Sequence, residues 1–142
     1  GRLAEAMTEF ERALKIHPRF AAAFQNRGVL RGINGDLDGA IRDFDEAIAI
    51  LPSQGDAYFN RGFAWQSKGN HERAIEDYGR AIRHQPTHAM AYVARGQLYR
   101  RFARYDKAIA DLRRALEVAP TNWPLRAEVE KTLKAVIAQK GP

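Results

Sequence analysis

Residues 55–88 read GDAYFNRGFAWQSKGNHERAIEDYGRAIRHQPTH, and the same frame fits residues 21–54 (AAAFQNRGVLRGINGDLDGAIRDFDEAIAILPSQ) and 89–122 (AMAYVARGQLYRRFARYDKAIADLRRALEVAPTN). Four registers keep the 34-residue step: Pro18, Pro52, Pro86 and Pro120; Gly28, Gly62 and Gly96; Ala40, Ala74 and Ala108; Ala13, Ala47, Ala81 and Ala115. A repeat of this length is one supersecondary unit that cannot bury its apolar face alone and stacks on its neighbours.

Each unit divides into two helices. The second half places Ala40, Ile41, Phe44, Ala47 and Ile48 on one helical face, then Ala74, Ile75, Tyr78, Ala81 and Ile82, then Ala108, Ile109, Leu112, Ala115 and Leu116. In the first half an aromatic (Phe24, Tyr58, Tyr92) precedes the glycine by four residues, one turn of the same face. A mid-helix glycine costs about 1 kcal/mol relative to alanine. Its recurrence therefore predicts a tight crossing where a neighbouring helix needs the room. Asn34-Gly35-Asp36, Gly69-Asn70 and Ala103-Arg104-Tyr105-Asp106 lie between the halves, and the prolines end each second helix. The predicted unit is a helical hairpin.

The set Tyr58, Gly62, Trp65, Ala74, Tyr78, Ala81 and Pro86 resembles the tetratricopeptide repeat family, with Arg31 and Leu112 as departures in the flanking units. The resemblance implies an all-α fold, a right-handed superhelical solenoid of antiparallel hairpins. Pentatricopeptide repeats, which read RNA, differ in period and lack this Gly and Ala set. The chain is read as a single domain: a half repeat at 1–20, full repeats at 21–54, 55–88 and 89–122, and a capping helix and tail at 123–142. Residues 1–17 match only the second helix of a unit, with Ala6, Met7, Phe10, Ala13 and Leu14 in the core register. The expectation is a fragment of a longer array. In the capping helix, Leu125, Val129, Leu133 and Val136 form the apolar side, with Arg126, Glu130, Lys131 and Lys134 elsewhere.

The chain has no cysteine, which removes disulfides, thiolate metal sites and cysteine nucleophiles. No apolar run approaches the roughly 20 residues of a membrane-spanning helix, so no membrane role is read. The net charge of +6 is carried by residues 87–142, with 11 basic against 5 acidic side chains.

The family resemblance directs the search for function to the first helices, which line the concave face. The inward positions are then Ala22, Gln25, Asn26, Val29 and Ile33; Asp56, Phe59, Asn60, Phe63, Gln66 and Ser67; and Met90, Val93, Ala94, Gln97, Arg100 and Arg101. Phe59 and Phe63 lie one turn apart outside the core register, with Asn26 and Asn60 beside them. Aromatics supply much of the energy of peptide interfaces, and asparagine can bond both donor and acceptor of a bound backbone. The expected function is a non-enzymatic scaffold that binds a peptide or helix of a partner protein. Its contacts would be Asn26, Val29, Phe59, Asn60, Phe63, Gln66 and Gln97, with Arg100 and Arg101 biasing it toward acidic partners. The family's carboxylate-binding groove needs Lys, Asn and Arg; the matching positions hold Gln25, Val29, Asn60, Met90 and Ala94, and only Asn60 fits. A chaperone-tail adaptor is not expected. The alternatives are self-assembly through Leu3, Met7, Phe10 and Leu14, and, less favoured, a nucleic-acid groove at the basic hairpin. Tyr99 and Tyr105 fall at normally buried positions, which weighs against base stacking there.

Arg27, Arg61 and Arg95 each precede the repeated glycine, and Asp43, Asp77 and Asp111 follow sixteen residues later. A charge repeated with the array predicts a ladder of structural ion pairs rather than a ligand site. Asn34, Asp36, Asp38, Gly39 and Asp45 approximate a calcium loop, but the last position lacks the bidentate Glu and residues 37–51 read as helix. They are read as a turn and helix cap. Pro86 separates His84 from His88, and no nucleophile with a base or phosphate-binding glycine loop is found. No metal, cofactor or catalytic residue is assigned.

Overall fold

The computed structural model describes residues 2–141, in which the chain forms eight α-helices: α1 (Arg2–Ile16), α2 (Ala21–Ile33), α3 (Leu37–Ile50), α4 (Gly55–Ser67), α5 (His71–His84), α6 (Ala89–Arg101), α7 (Tyr105–Val118) and α8 (Arg126–Lys140). There is no strand among the described residues. The chain divides into two compact units, 1–77 and 78–142, and the division falls within α5.

In the first unit α2 packs on α1 and α3, and α3 on α4. Ala40, Ile41, Phe44 and Ala64 are buried together, with Trp65 against them. The crossing predicted at Gly28 is real: a Cβ there would lie 2.8 Å from Cε1 of Phe44, too close for any side chain. The helix α1 has no fully buried residue; Ala6, Met7, Phe10, Ala13 and Leu14 are half-buried and Leu3 is exposed.

In the second unit α6 packs on α7 and α7 on α8. Tyr92, Val93, Ala108, Ile109, Leu112 and Ala115 share a core with Val129 and Val136 of α8. Gly96 repeats the close crossing, with the nearest atoms to an added Cβ at 3.3 Å on Asp111 and Leu112. Two expectations need correction. Val93, expected to face a groove, is buried in the same cluster as the two α8 valines. Leu125, expected in the core, is the residue before α8, inside the turn that the Arg126 N–H closes on the Trp123 carbonyl, and is exposed.

The turns explain how each hairpin closes. Gly35 and Gly69 hold φ of +84° and +82°, the left-handed conformation glycine adopts freely, and Ala103 fills the equivalent place in the third hairpin at φ +54°. Asp36 caps α3 by accepting from the Gly39 N–H at 2.8 Å, and Asn70 caps α5 by accepting from Arg73 at 3.2 Å. Arg104 occupies the same repeat position before α7, where no side chain accepts from the helix. The quasi-calcium loop is thus the turn and cap read from the sequence. Among the first helices, His88 caps α6 through Nδ1, 3.2 Å from the Ala91 nitrogen, a role its spacing alone did not reveal. At the far end Arg126 is expected off the apolar side of the capping helix, with no partner assigned. Its Nη2 instead donates to the carbonyls of Leu116 and Ala119, at 3.0 and 3.3 Å, and so satisfies the open end of α7.

Candidate binding groove

The Arg–Asp ladder holds each hairpin and so fixes the first helices that carry the site. Arg27 grips Asp43 with Nε and Nη2 at 2.9 and 2.7 Å, Arg61 grips Asp77 at 2.7 and 2.8 Å, and Arg95 grips Asp111 at 2.8 and 2.8 Å. The three aspartates are buried. A bidentate fork satisfies both carboxylate oxygens and leaves little uncompensated charge. The ladder is thus confirmed, and it lies within hairpins. Further bonds go beyond the ladder read from the sequence: Arg31 Nη1 reaches Asp43 at 3.0 Å, and Arg61 Nη1 reaches Asp45 at 2.6 Å, joining the first hairpin to α4. Burial opposes the charge on Arg61, but the hydrogen bonds it donates to Asp77 and Asp45 outweigh it and raise its pKa above the ordinary arginine value.

With α2 and α4 held in this way, a groove of about 350 Å³ opens between them over α3. Small residues make its floor: Gly28, Gly32, Ala40 and Ala64. Its walls are Val29 and Ile33 of α2 and Phe59 and Phe63 of α4, with Asn60 as a polar group on the lining. Phe63 is 59% exposed and Ile33 67%. Phe59, expected to be exposed, is half-buried and makes contacts of its own. The structure therefore brings Val29, Phe59, Asn60 and Phe63 together. Asn26, exposed on α2, and Gln66, half-buried on α4, do not line the groove. Ile33 and Gly32 do. Ile33 was legible as an inward position, whereas Gly32 gave no signal because its role is an absent side chain.

The remaining predicted contacts belong to the second unit. Gln97, Arg100 and Arg101 line a polar depression of about 420 Å³ together with Tyr105, Thr132 and Gln139. Arg100 Nε donates to Gln139 Oε1 at 2.9 Å. In the first unit again, the proposed self-assembly residues split: Leu3 and Met7 line a depression between α1 and α2 with Leu30 and Asn34, while Phe10 and Leu14 are half-buried outside it. Among the described residues no cluster of three metal-ligating side chains occurs, and no helix is long and apolar enough to cross a membrane.

Repeated hairpins clasped by buried ion pairs, with an apolar groove between successive first helices, define an all-α helical repeat protein. The 34-residue unit decides which one. The chain belongs to the tetratricopeptide repeat family, which it matches over residues 1–55, 55–88 and 89–122. No curated protein matches the sequence. Among solved structures it is similar to the Arabidopsis OM64 TPR domain, with 25% identity, a TM-score of 0.72, and coverage of 81% of this chain and 94% of that one. It is also similar to the first TPR of Spaghetti (RPAP3) bound to the HSP90 peptide SRMEEVD, with 21% identity, TM-score 0.76, and coverage of 86% and 94%. The third is the TPR2B domain of yeast Sti1 in its complex with pHsp70, with 21% identity, TM-score 0.78, and coverage of 84% and 97%. The last two likenesses are of fold.

Proposed function

We propose that this chain is a non-catalytic interaction scaffold that takes a peptide or helix of a partner protein, anchored by an apolar side chain in the groove between α2 and α4. The observation that carries this is the open apolar lining itself. Val29, Ile33 and Phe63 are exposed around a floor of small residues, in a volume within the roughly 300–1,000 Å³ of ligand pockets. Burying one leucine or phenylalanine there would contribute about 1.5–3 kcal/mol, and Asn60 can bond the partner's backbone. The anchor is one part of the whole segment's expected micromolar affinity, about 8 kcal/mol.

The likeness to a domain bound to an HSP90 peptide, and to another in complex with pHsp70, supports peptide binding as the general mode. No lysine or arginine lines this groove. Charge-assisted bonds to a terminal carboxylate are therefore missing, and an internal apolar anchor is favoured over a free chain end. The test is selection of a displayed peptide library on the wild type and on Gly32→Leu. An added Cβ at Gly32 would meet Ala40 Cβ at 3.9 Å, an ordinary contact, and Gly32 lines the groove, so the leucine is expected to fill it; circular dichroism should show the variant as helical as the wild type. Selected peptides should share a bulky apolar residue and lose at least tenfold in affinity on the plugged variant. Peptides that bind both proteins equally would refute the groove.

The α1 helix supports self-association as a second mode. Leu3 is 50% exposed and shares an apolar depression between α1 and α2 with Met7 and Leu30. Sedimentation should then show a concentration-dependent mass that Leu3→Asp abolishes; a monomer at high concentration would dismiss it.

A further inference from the structure

The arginines at the α6–α7 turn depart from the repeat in a consistent direction. Position for position, Arg100 stands where the earlier hairpins have Gly32 and Gln66, Arg101 where they have Ile33 and Ser67, and Arg104 where they have the helix caps Asp36 and Asn70. The last replacement gives up a cap, since no side chain accepts from the start of α7. Elsewhere on the first helices each arginine at a shared repeat position has a carboxylate: Arg27 with Asp43, Arg61 with Asp77 and Asp45, Arg95 with Asp111. Among the described residues Arg100, Arg101 and Arg104 have none; Arg100 is held by the neutral Gln139, and Arg101 and Arg104 are exposed. Residues 87–142 also carry the whole net positive charge.

We propose that Arg100, Arg101 and Arg104 form a docking surface for an acidic segment of a partner protein, seated in the polar depression lined by Gln97, Thr132 and Gln139. The Gln139 contact fixes the Arg100 guanidinium, so its remaining N–H groups are oriented before a carboxylate arrives. The amides and hydroxyl offer donors and acceptors to the backbone of the incoming segment. The surface lies beyond Met90 and Ala94, at the opposite end of α6 from the positions the family's carboxylate groove uses. A protein occupant is favoured over a nucleic acid because the aromatic in the depression, Tyr105, is half-buried, and the nearby Tyr99 ring already has Arg95 and Lys107 over it at 5.7 and 5.6 Å. The inference goes beyond the apolar groove and does not depend on it.

Fluorescence anisotropy tests it with three labelled probes: a peptide of six consecutive glutamates, the same peptide with glutamines, and a ten-nucleotide uridine RNA. The wild type should bind the glutamate peptide and not the glutamine peptide, with affinity falling steeply with salt. Arg101→Gln/Arg104→Gln changes only exposed side chains and should weaken binding at least tenfold. Arg113→Gln, an equally exposed arginine on α7, should change it less than twofold, and Gly32→Leu should leave it unchanged. A loss in Arg113→Gln of half or more of the double variant's, compared as log affinity because the double variant removes two charges, would reduce the effect to diffuse charge and overturn the site. Tighter binding of the RNA, lost in the same double variant, would replace the acidic protein segment by nucleic acid. Absence of binding to the glutamate peptide at millimolar concentration would also overturn it.

Discussion

Asp77 is 2% exposed and both its oxygens are taken by Arg61, whose own exposure is 14%. Removing the carboxylate leaves the largely buried guanidinium without its bidentate partner, and breaking a buried pair in this way costs about 3–5 kcal/mol. Arg61 keeps Asp45, so the loss for Asp77→Ala should fall at the lower end, about 3 kcal/mol in urea unfolding. A loss under about 1 kcal/mol would mean that the pair behaves as a solvated surface bridge. The sixteen-residue spacing made the partners of this ladder legible, because repetition excludes a unique ligand. The second partners were missed for two different reasons. Arg31 has no counterpart in the other units, whereas Asp45 lies sixteen residues before Arg61 as Glu11 does before Arg27, an acidic position that the third unit replaces with Gly79.

At the scale of elements, the helix boundaries followed from turn chemistry wherever that chemistry is conventional. Asn34-Gly35-Asp36 and Gly69-Asn70 supply both a left-handed residue and a cap, and α3 and α5 begin where those predict. The third turn has neither, yet forms the same bend with Ala103 at φ +54°. Alanine in that region is strained by about 1–2 kcal/mol, and glycine gives back part of the gain through the freer unfolded chain. Ala103→Gly should therefore stabilise the protein by about 0.5–1 kcal/mol, seen as a higher urea midpoint with an unchanged slope. A destabilised variant would show that the bend is not strained. The α8 helix was legible in its valine positions, while its start was misjudged by the register of Leu125, and the cap from Arg126 was hidden because it reaches back to carbonyls seven and ten residues earlier.

Over the whole molecule, period and family resemblance made the hairpins readable, but only the three-dimensional arrangement sorted the expected contacts. Val29, Phe59, Asn60 and Phe63 converge in the first unit, and Gln97, Arg100 and Arg101 in the second, whereas Asn26 and Gln66 line neither surface. A sequence register specifies which side of a helix a residue occupies. It cannot specify that Gly32 opens a floor, or that the α8 valines share a core with Val93. The proposed scaffold function rests on the apolar groove between α2 and α4. The most direct measurement is an NMR titration of the side-chain signals of Val29, Ile33, Phe59 and Phe63 with a peptide selected on the wild type. Saturable shifts concentrated on these four residues, at micromolar concentrations and absent in Gly32→Leu, are the predicted result; shifts elsewhere with these four unmoved would contradict it.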